Sequence, residues 1–394
     1  MRVLMLSWEY PPHVVGGLGK HVMELTPALG RQGAEVHLVT PAWSGGPPDE
    51  SGLGFEIHRV APPERGQADL FDAAKRANLA LAQRAEQLQT ELGGFDVLHV
   101  HDWLVAFAAF DLQRALQMPL VATVLASELG RGGGHLLGSM AEAIHGIERR
   151  LVHEAQRVIV TSEYMAKQIL ESFDVSLEKV DVVPNGVDTD RFDQYDGMDL
   201  SDFRARFARP EQRIVYYVGR VEYQKGVHTL LEAVPAVLAK VPEARFVMAG
   251  RGGELDNLRR QANQLGLESS VLFTGFISDS DRDRLYRVAD VAVFPSLYEP
   301  FGIVALEAMA ARCPLVVSEV GGLKEVVRCC EDGWTVHPGS PDSVAWGIVR
   351  ALTGPEEARE MAAAGYRMVC EQYNWDSIAA QTIAAYERAK GGRG

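Results

Sequence analysis

The chain has 394 residues, which is enough for two domains with hydrophobic cores of their own. Hydrophobic residues make up 47% and charged residues 23% of the sequence, as in an ordinary soluble protein. The formal net charge of −14 argues against a nucleic-acid-binding protein, which normally carries a basic face, and against electrostatic docking on an anionic membrane.

The four cysteines form no CxxC pair and no other metal-ligand spacing. The N-terminal apolar run is too short for a signal sequence, and no run approaches the roughly 20 apolar residues of a membrane span. These features predict a cytoplasmic protein with reduced thiols and no stable membrane association.

Strands and helices are predicted to alternate through the first half of the chain. Short apolar runs predict strands at 2–7, 35–40, 55–60, 96–100, 120–125 and 157–161. Helices are predicted at about 18–31 and at about 69–92. A third helix is predicted to end at about 116, and a fourth, which follows a glycine-rich loop at 130–134, is predicted to end at 154. This alternation predicts a parallel, doubly wound sheet.

The second half repeats the alternation after a polar, loop-like stretch at 190–202. Strands are predicted at 214–218, 245–249, 271–273, 291–294 and 315–318, and helices at 227–239, 254–265, 281–287 and 303–311. From residue 343 onward three helices are predicted, with breaks near Gly354-Pro355 and Asn374-Trp375. The predicted fold class is therefore α/β, with two doubly wound Rossmann-like domains.

The most informative stretch is Leu297–Met309, which follows a buried strand. A turn with Gly302 leads into a helix from Ile303, and the first N–H groups of such a helix can bind an anion. Glu299 and Glu307 flank this helix start, and carboxylates are better suited to neutral hydroxyls than to a phosphate. Because Glu307 lies among apolar residues, a freely solvated position is disfavoured. The stretch predicts a ligand that carries both phosphate and sugar.

Glu-Pro-Phe-Gly with a second Glu at the eighth position resembles the donor-site signature of retaining nucleotide-sugar glycosyltransferases of the GT-B fold, in which two Rossmann-like domains face each other across a cleft. The resemblance implies that Glu299 holds sugar hydroxyls and that Glu307 holds the ribose. Pro-Asn-Gly-Val-Asp at 184–188 resembles the hinge of this family. The implied domains are 1–188, joined by a C-terminal crossover helix at about 375–394, and 189–374.

Two cations, Arg220 and Lys225, lie on either side of the loop that follows the first strand of the second half. Ligands of doubly wound sheets bind beyond the carboxyl ends of the strands, so this loop is predicted to share an edge with Glu299. Two cations there suit a diphosphate leaving group, although each could also be an ordinary surface cation. They also resemble the diphosphate-binding pair of the family, and Gly321-Gly322 adds a backbone-lined turn to the same edge.

In the first half, Gly16-Gly17 separates a strand from a helix, as in sites where a diphosphate approaches backbone N–H groups, although such a pair is more often only a turn. The segment resembles the glycine loop of glycogen synthases, which meets the donor diphosphate. His101-Asp102 ends another strand. The same resemblance places Asp102 near the acceptor, whereas His101 is either a site residue or a buried structural one. Three further residues after strands are acceptor-side candidates: Glu9, Ser127 and Glu128.

The sequence departs from the family at Leu125, where relatives typically carry a His that contacts the 6-hydroxyl of the transferred sugar. A leucine cannot make this hydrogen bond, whose loss costs about 1–3 kcal/mol, or up to about a hundredfold in rate. The site is either naturally weakened or altered by substitution, or another histidine such as His135 takes over.

The resemblance covers nearly the whole chain and implies an enzyme that moves a hexose, first of all glucose from ADP-glucose or UDP-glucose, onto an α-glucan, as glycogen synthases do. A sucrose-type or maltose-phosphate-forming enzyme would use the same parts. The alternatives are a nucleotide-sugar or glucan-binding protein with a silenced site, a sugar epimerase and a lipid glycosyltransferase. An Arg/Lys pair can neutralise the leaving group, so neither a metal nor another cofactor is expected.

Overall fold

The structure, a computed structural model, describes residues 1–43, 45–62 and 69–391. The chain divides into two compact units. The first unit comprises Met1–Asn185 together with the C-terminal segment from Trp375, and the second unit comprises Gly186–Asn374. The end of the predicted crossover helix, 392–394, lies outside the described residues.

The strands of both units are short and largely buried. The described residues contain β1 (Arg2–Leu6), β2 (Glu35–Pro41), β3 (Asp49–Gly52), β4 (Phe55–Val60), β5 (Val97–His101), β6 (Leu120–Val124), β7 (Arg157–Val160), β8 (Val180–Val182), β9 (Arg213–Val218), β10 (Ala244–Ala249), β11 (Val271–Gly275), β12 (Val291–Phe294), β13 (Leu315–Ser318) and β14 (Trp334–Val336).

The helices connect these strands. The described residues contain α1 (Gly17–Arg31), α2 (Leu70–Leu92), α3 (Ala106–Leu116), α4 (Glu128–Arg131), α5 (Ser139–Glu154), α6 (Glu163–Phe173), α7 (Asp190–Asp193), α8 (Ser201–Ala205), α9 (Val227–Leu238), α10 (Leu255–Gln264), α11 (Asp279–Val288), α12 (Ile303–Ala310), α13 (Leu323–Val326), α14 (Pro341–Thr353), α15 (Pro355–Gln372) and α16 (Trp375–Gly391).

The sheet of the first unit has the strand order β3-β4-β2-β1-β5-β6-β7-β8. All neighbours pair in parallel except β3 and β4, which form an antiparallel hairpin. Strands such as β6 are buried along their whole length because helices cover both faces of a parallel sheet. Helix α16 belongs to this unit: Tyr386 donates to or accepts from His99 Nδ1 at 2.7 Å, and Arg31 pairs with Asp376 at 2.8 Å.

The sheet of the second unit has the order β11-β10-β9-β12-β13-β14, and every neighbouring pair is parallel. Each strand apart from the terminal one is followed by a helix that returns the chain to the opposite end of the sheet. The strands β9, β12 and β13 are therefore neighbours, and the loops after them emerge side by side at the carboxyl edge.

Local signals set the ends of several helices. In α2, the Asp69 side chain accepts the N–H of Asp72 at 2.9 Å and caps the first turn, and Gly93 at φ +76° ends the helix. In α14, Ser340 caps the first turn and Pro341 occupies the first helical position, where its missing N–H has no cost. Among the described helices, none combines the length and the apolar character that a membrane crossing requires.

Two predictions of local structure are corrected, and a polar strand was not predicted. The stretch 190–202 is not only loop, because it contains α7 and the beginning of α8, which the buried rings of Phe192 and Phe203 fix to the second unit. The loop predicted at 130–134 begins inside α4, which Ser127 caps. Strand β3 has the sequence Asp-Glu-Ser-Gly and carries no apolar residue, so hydrophobic patterning gives no signal for it.

Candidate active site

Three loops lie next to each other at the carboxyl edge of the second unit, after β9, β12 and β13. The loop after β9 is held against the loop after β12, since the N–H groups of Leu297 and Tyr298 both donate to the Gln224 carbonyl, at 2.8 and 3.2 Å. The loop after β12 is held in turn to the turn after β13, because Gly322 N–H donates to the Glu299 carbonyl at 2.9 Å. Backbone contacts thus join the predicted site segments of this unit.

Glycines permit these close approaches. A Cβ on Gly226 would lie 1.9 Å from the Pro295 carbonyl oxygen, and a Cβ on Gly322 would lie 2.4 Å from that of Pro300. Both distances are far below any real contact of a Cβ atom. Gly226 also has φ +66°, in the left-handed region that favours glycine. The sequence therefore needs glycine at these positions to bring the three loops together.

The side chains of Lys225 and Glu299 meet at this edge. Lys225 Nζ lies 2.8 Å from Glu299 Oε2, and the Ser296 hydroxyl donates to the same oxygen at 3.2 Å. The two side chains are 20% and 11% exposed, so the ion pair is only partly screened by solvent. Both predicted residues are thus in contact, and each remains accessible to a small ligand.

Arg220, the second predicted cation, is exposed. The loop carrying it is fixed by the buried Tyr217, whose hydroxyl donates to the Arg220 carbonyl at 2.8 Å. In the part of the chain that the structure describes, no carboxylate forms an ion pair with Arg220. Its guanidinium adds positive charge to the edge at which Lys225 is already paired.

The start of α12 faces the same edge. Gly302 precedes the helix at φ +109°, and a Cβ there would lie 2.5 Å from Leu323 Cδ2. Ile303 begins the helix and is half-buried, and Gly321, at φ +52°, turns the chain after β13. Of the glycines predicted for donor binding, Gly302, Gly321 and Gly322 therefore lie with the helix start beside Lys225 and Glu299, whereas Gly16 and Gly17 belong to the first unit.

Glu307 is buried in a cluster of charged and aromatic side chains. Its Oε1 lies 3.0 Å from Arg191 Nη2, and its Oε2 accepts from the Tyr286 hydroxyl at 3.3 Å. Arg191 also pairs with Asp283 at 3.1 Å, and Arg282 pairs with the same carboxylate at 3.1 Å. The Glu307 carboxylate, which lies among apolar residues in the sequence, is thus buried and bound by protein side chains, as a buried charge requires.

The sequence reasoning missed Arg191, Arg282 and Asp283. A buried Glu307 calls for a cation, and that requirement was the only signal available for them. Arg191 follows the predicted hinge by three residues, and Arg282 and Asp283 are within α11, so no local motif connects them with Glu307.

In the first unit, Glu9 holds the glycine turn that precedes α1. Glu9 Oε2 accepts the N–H groups of Val15 at 2.8 Å, Gly16 at 3.2 Å and Gly19 at 3.3 Å. The side chain predicted to face an acceptor is therefore engaged with backbone donors of the turn. No such contact with Glu9 is described for the N–H of Gly17, the exposed first residue of the helix.

Asp102 directly follows β5 and has a positive φ of +57° with an extended ψ of 178°. This conformation is strained for a residue with a side chain, and such strain is concentrated at functional sites. The Asp102 N–H donates to Thr123 O at 2.9 Å, and Asp102 Oδ1 accepts the Leu125 N–H at 2.8 Å. Burial raises the pKa of the Asp102 carboxyl to about 6, against the opposing effect of nearby Arg131.

A buried acid that the sequence reasoning missed, Glu148, lies beside the candidates Ser127 and Glu128. Both Glu148 carboxylate oxygens contact the Glu128 N–H, at 2.9 and 3.1 Å. Ser127 caps α4 by accepting the Gly130 N–H at 3.0 Å. Burial raises the pKa of Glu148 to about 8, partly opposed by the Glu128 N–H. Glu148 lies inside α5, 20 residues after Glu128, and no sequence motif connects the two residues.

His101 and Leu125 both contact other residues of the first unit's interior. His101 is fully buried, its Nδ1 lies 3.3 Å from the Leu6 carbonyl, and burial holds its pKa well below the ordinary value. The Leu125 side chain packs on the core of the first unit, and its N–H is what reaches Asp102. His135 is exposed, and no described contact connects it with Leu125.

Two family models match the chain. Residues 15–191 match the model described as Glycosyltransferase Family 4, and residues 200–368 match the model described as Glycosyl transferases group 1. The solved structure of sucrose-phosphate synthase from Thermosynechococcus elongatus has a TM-score of 0.81 and 24% identity, and the match covers 98% of both chains. This likeness is one of fold, and it shows that the two parallel-sheet units have the GT-B fold.

Relatives match over the full length. An uncharacterized glycosyltransferase of Methanocaldococcus jannaschii is 36% identical over 99% of this chain and 98% of its own. Glycogen synthase of Mycobacterium tuberculosis is 35% identical over 100% and 96%, and α-maltose-1-phosphate synthase of Mycolicibacterium smegmatis is 30% identical over 98% and 99%. The chain belongs to the group 1 glycosyltransferase family.

Proposed function

We propose that the protein is a retaining hexosyltransferase that moves glucose from ADP-glucose or UDP-glucose onto an α-glucan. The observation that supports this most is the Lys225–Glu299 contact of 2.8 Å beside the start of α12 and the turn at Gly321-Gly322. A cation, unpaired helix N–H groups and a carboxylate are the groups that a sugar diphosphate needs in one place.

In this proposal, Lys225 and Arg220 neutralise the diphosphate, and Glu299 accepts hydrogen bonds from sugar hydroxyls. Glu299 has two oxygens, so it can hold Lys225 with one and a hydroxyl with the other. Glu307, held in place by Arg191 and Tyr286, is the carboxylate proposed to bind the ribose.

The transfer step breaks the bond between the anomeric carbon and the diphosphate oxygen and forms a bond to an acceptor hydroxyl on the same face of the sugar. The acceptor proton passes to an oxygen of the leaving phosphate. Charge accumulates on that leaving group, so the Arg220 and Lys225 cations stabilise the transition state more than the ground state. No metal or other cofactor is part of this proposal.

The acceptor is proposed to be an α-glucan because the glycogen synthase relative matches nearly end to end. The α-maltose-1-phosphate synthase relative favours a second candidate, the same chemistry with a phosphorylated sugar as acceptor. Leu125 motivates a third candidate, a nucleotide-sugar or glucan-binding protein with weakened turnover.

Nucleotide release from ADP-glucose, UDP-glucose and other nucleotide sugars, with and without glycogen or glucose 1-phosphate, tests the proposal. We expect release that depends on glycogen, and glucan-bound label from radioactive donor. Release that depends on glucose 1-phosphate instead would support the second candidate. Nucleotide binding without release by any donor, with release restored in Leu125→His, would support the third. Absence of both binding and release would contradict all three.

A further inference from the structure

A cluster of metal-ligating side chains lies in the first unit, on strands β2 and β4. His37 on β2 is the register partner of Glu56 on β4, and His58 follows Glu56 by two residues. Register partners of parallel strands and residues two apart on one strand share a face of the sheet, so the three side chains point the same way. Both histidines are buried, whereas the Glu56 side chain is 54% exposed.

The three facing donor atoms form a compact triangle. His37 Nδ1 lies 3.2 Å from His58 Nε2, and Glu56 Oε2 lies 3.7 Å from the former and 3.8 Å from the latter. The point equidistant from these three atoms is about 2.1 Å from each, which matches the lengths of Zn–N and Zn–O bonds. The triangle thus has the size of a first coordination shell.

The outer nitrogens of both rings contact carboxylates. His37 Nε2 lies 3.2 Å from Glu35 Oε1, and His58 Nδ1 lies 2.8 Å from Asp49 Oδ1. A carboxylate in this position accepts a hydrogen bond from the ring N–H, so the opposite ring nitrogen carries the lone pair. The two lone pairs of His37 Nδ1 and His58 Nε2 would then face each other across 3.2 Å, and that arrangement requires a positive charge between them.

We infer that His37, Glu56 and His58 bind a divalent transition metal of the zinc type, with a fourth position open to water. Three carboxylates, those of Glu35, Asp49 and Glu56, supply negative charge around it. Two cations lie close to the cluster: Arg84 Nη2 is 3.4 Å from His58 Nδ1 and Arg84 pairs with Glu91 at 3.1 Å, while Arg2 pairs with Glu35 at 3.0 Å. The metal replaces a shared proton and, through Asp49, ties the β3–β4 hairpin to β2.

The site is structural and independent of the transfer reaction. In the sheet order, β2 and β4 lie on the side of β1 opposite β5, and Asp102 follows β5. The metal would stabilise the folded state because it binds a site that the unfolded chain does not hold together. Metal removal is therefore expected to lower stability and to leave the chemistry of the transfer step unchanged.

The experiment uses untagged, chelator-stripped full-length protein titrated with Zn²⁺ in a calorimeter, and with Co²⁺ followed by its visible absorption. Wild type is expected to bind one Zn²⁺ per chain at micromolar or lower concentration, with Co²⁺ bands of a tetrahedral site and a higher unfolding temperature. Glu56→Gln, at an exposed position, is expected to weaken binding about tenfold or more. Glu86→Gln, an exposed acid on α2, is the matched control and should bind as wild type does.

His58→Gln is expected to abolish Zn²⁺ binding and the gain in unfolding temperature, and its circular dichroism spectrum shows whether it folds. Should it fail to fold, Glu56→Gln still decides the question. Absence of saturable Zn²⁺ binding by wild type would overturn the inference and assign the histidines to a hydrogen-bonded pair sharing a proton. Equal binding by wild type and Glu56→Gln would overturn it as well.

Discussion

At the scale of single residues, the proposed donor site consists of side chains that can contact a ligand and of buried partners that hold those side chains in place. Lys225 and Glu299 were both expected at one edge, and the structure brings them to 2.8 Å. Arg191, which binds Glu307, and Glu148, which binds the Glu128 N–H, had no signal in the sequence. Arg191 lies more than a hundred residues from Glu307 in the sequence, and Glu148 lies in a different helix from Glu128. Only the fold brings each pair together.

Lys225→Ala is expected to lower kcat/KM for nucleotide-sugar turnover by about two to three orders of magnitude, because it removes a cation that faces the leaving group. The measurement is nucleotide release at saturating acceptor. Lys240→Ala, an exposed lysine of the same unit, is the control and should leave the rate unchanged. Equal rates for wild type and Lys225→Ala would remove this lysine from the proposed site.

Glu148 is expected to make stability depend on pH. Burial raises its pKa from 4.5 to about 8, so the folded protein holds this proton more tightly than the unfolded chain does. The corresponding stabilisation is complete below pH 4.5 and is lost as the pH rises to about 8, and it amounts to a few kcal/mol at most. Glu148→Gln stays neutral, so its unfolding temperature relative to wild type should rise by several degrees between pH 5 and pH 9.

The control for that comparison is Glu142→Gln, which changes an exposed acid on the same helix. Its difference from wild type should stay flat across the same pH range. A Glu148→Gln difference that is equally flat would mean that Glu148 titrates normally in the folded protein.

At the scale of elements, the alternating pattern gave most strands and helices to within a few residues, because buried parallel strands are short apolar runs. It failed where tertiary contacts replace the pattern. The all-polar β3 exists because β4 offers it an antiparallel partner, and α7 and α8 exist because Phe192 and Phe203 are buried. The glycine turns were predicted as possible anion sites, whereas their close backbone contacts are visible only in the fold.

Gly226→Ala tests whether the contact between the loops after β9 and β12 supports donor binding. Its Cβ would lie 1.9 Å from the Pro295 oxygen, so the loops must separate. We expect a donor KM raised at least tenfold and a lower unfolding temperature, measured by nucleotide release and thermal denaturation.

Gly266→Ala provides a matched control, since Gly266 has φ +67° and nothing lies within 4 Å of its added Cβ. This change carries only the cost of the left-handed backbone, about 1–2 kcal/mol, and should leave donor KM unaltered. Similar donor KM values for both variants would show that loop contact is irrelevant to the donor.

At the scale of the whole molecule, the chain contains two units with separate hydrophobic cores. The second unit holds the cation, carboxylate and helix start suited to a nucleotide sugar. The first holds Asp102 and Glu148, and burial raises the pKa values of their carboxyl groups to about 6 and about 8. Relatives that match over the full length show the family.

The most direct test of the central claim is a crystal structure of the protein with bound ADP or UDP. The phosphates are expected within hydrogen-bonding distance of Lys225 and Arg220, next to the start of α12, with the ribose beside Glu307. A nucleotide whose base and phosphates are bound elsewhere, away from these residues, would contradict the account.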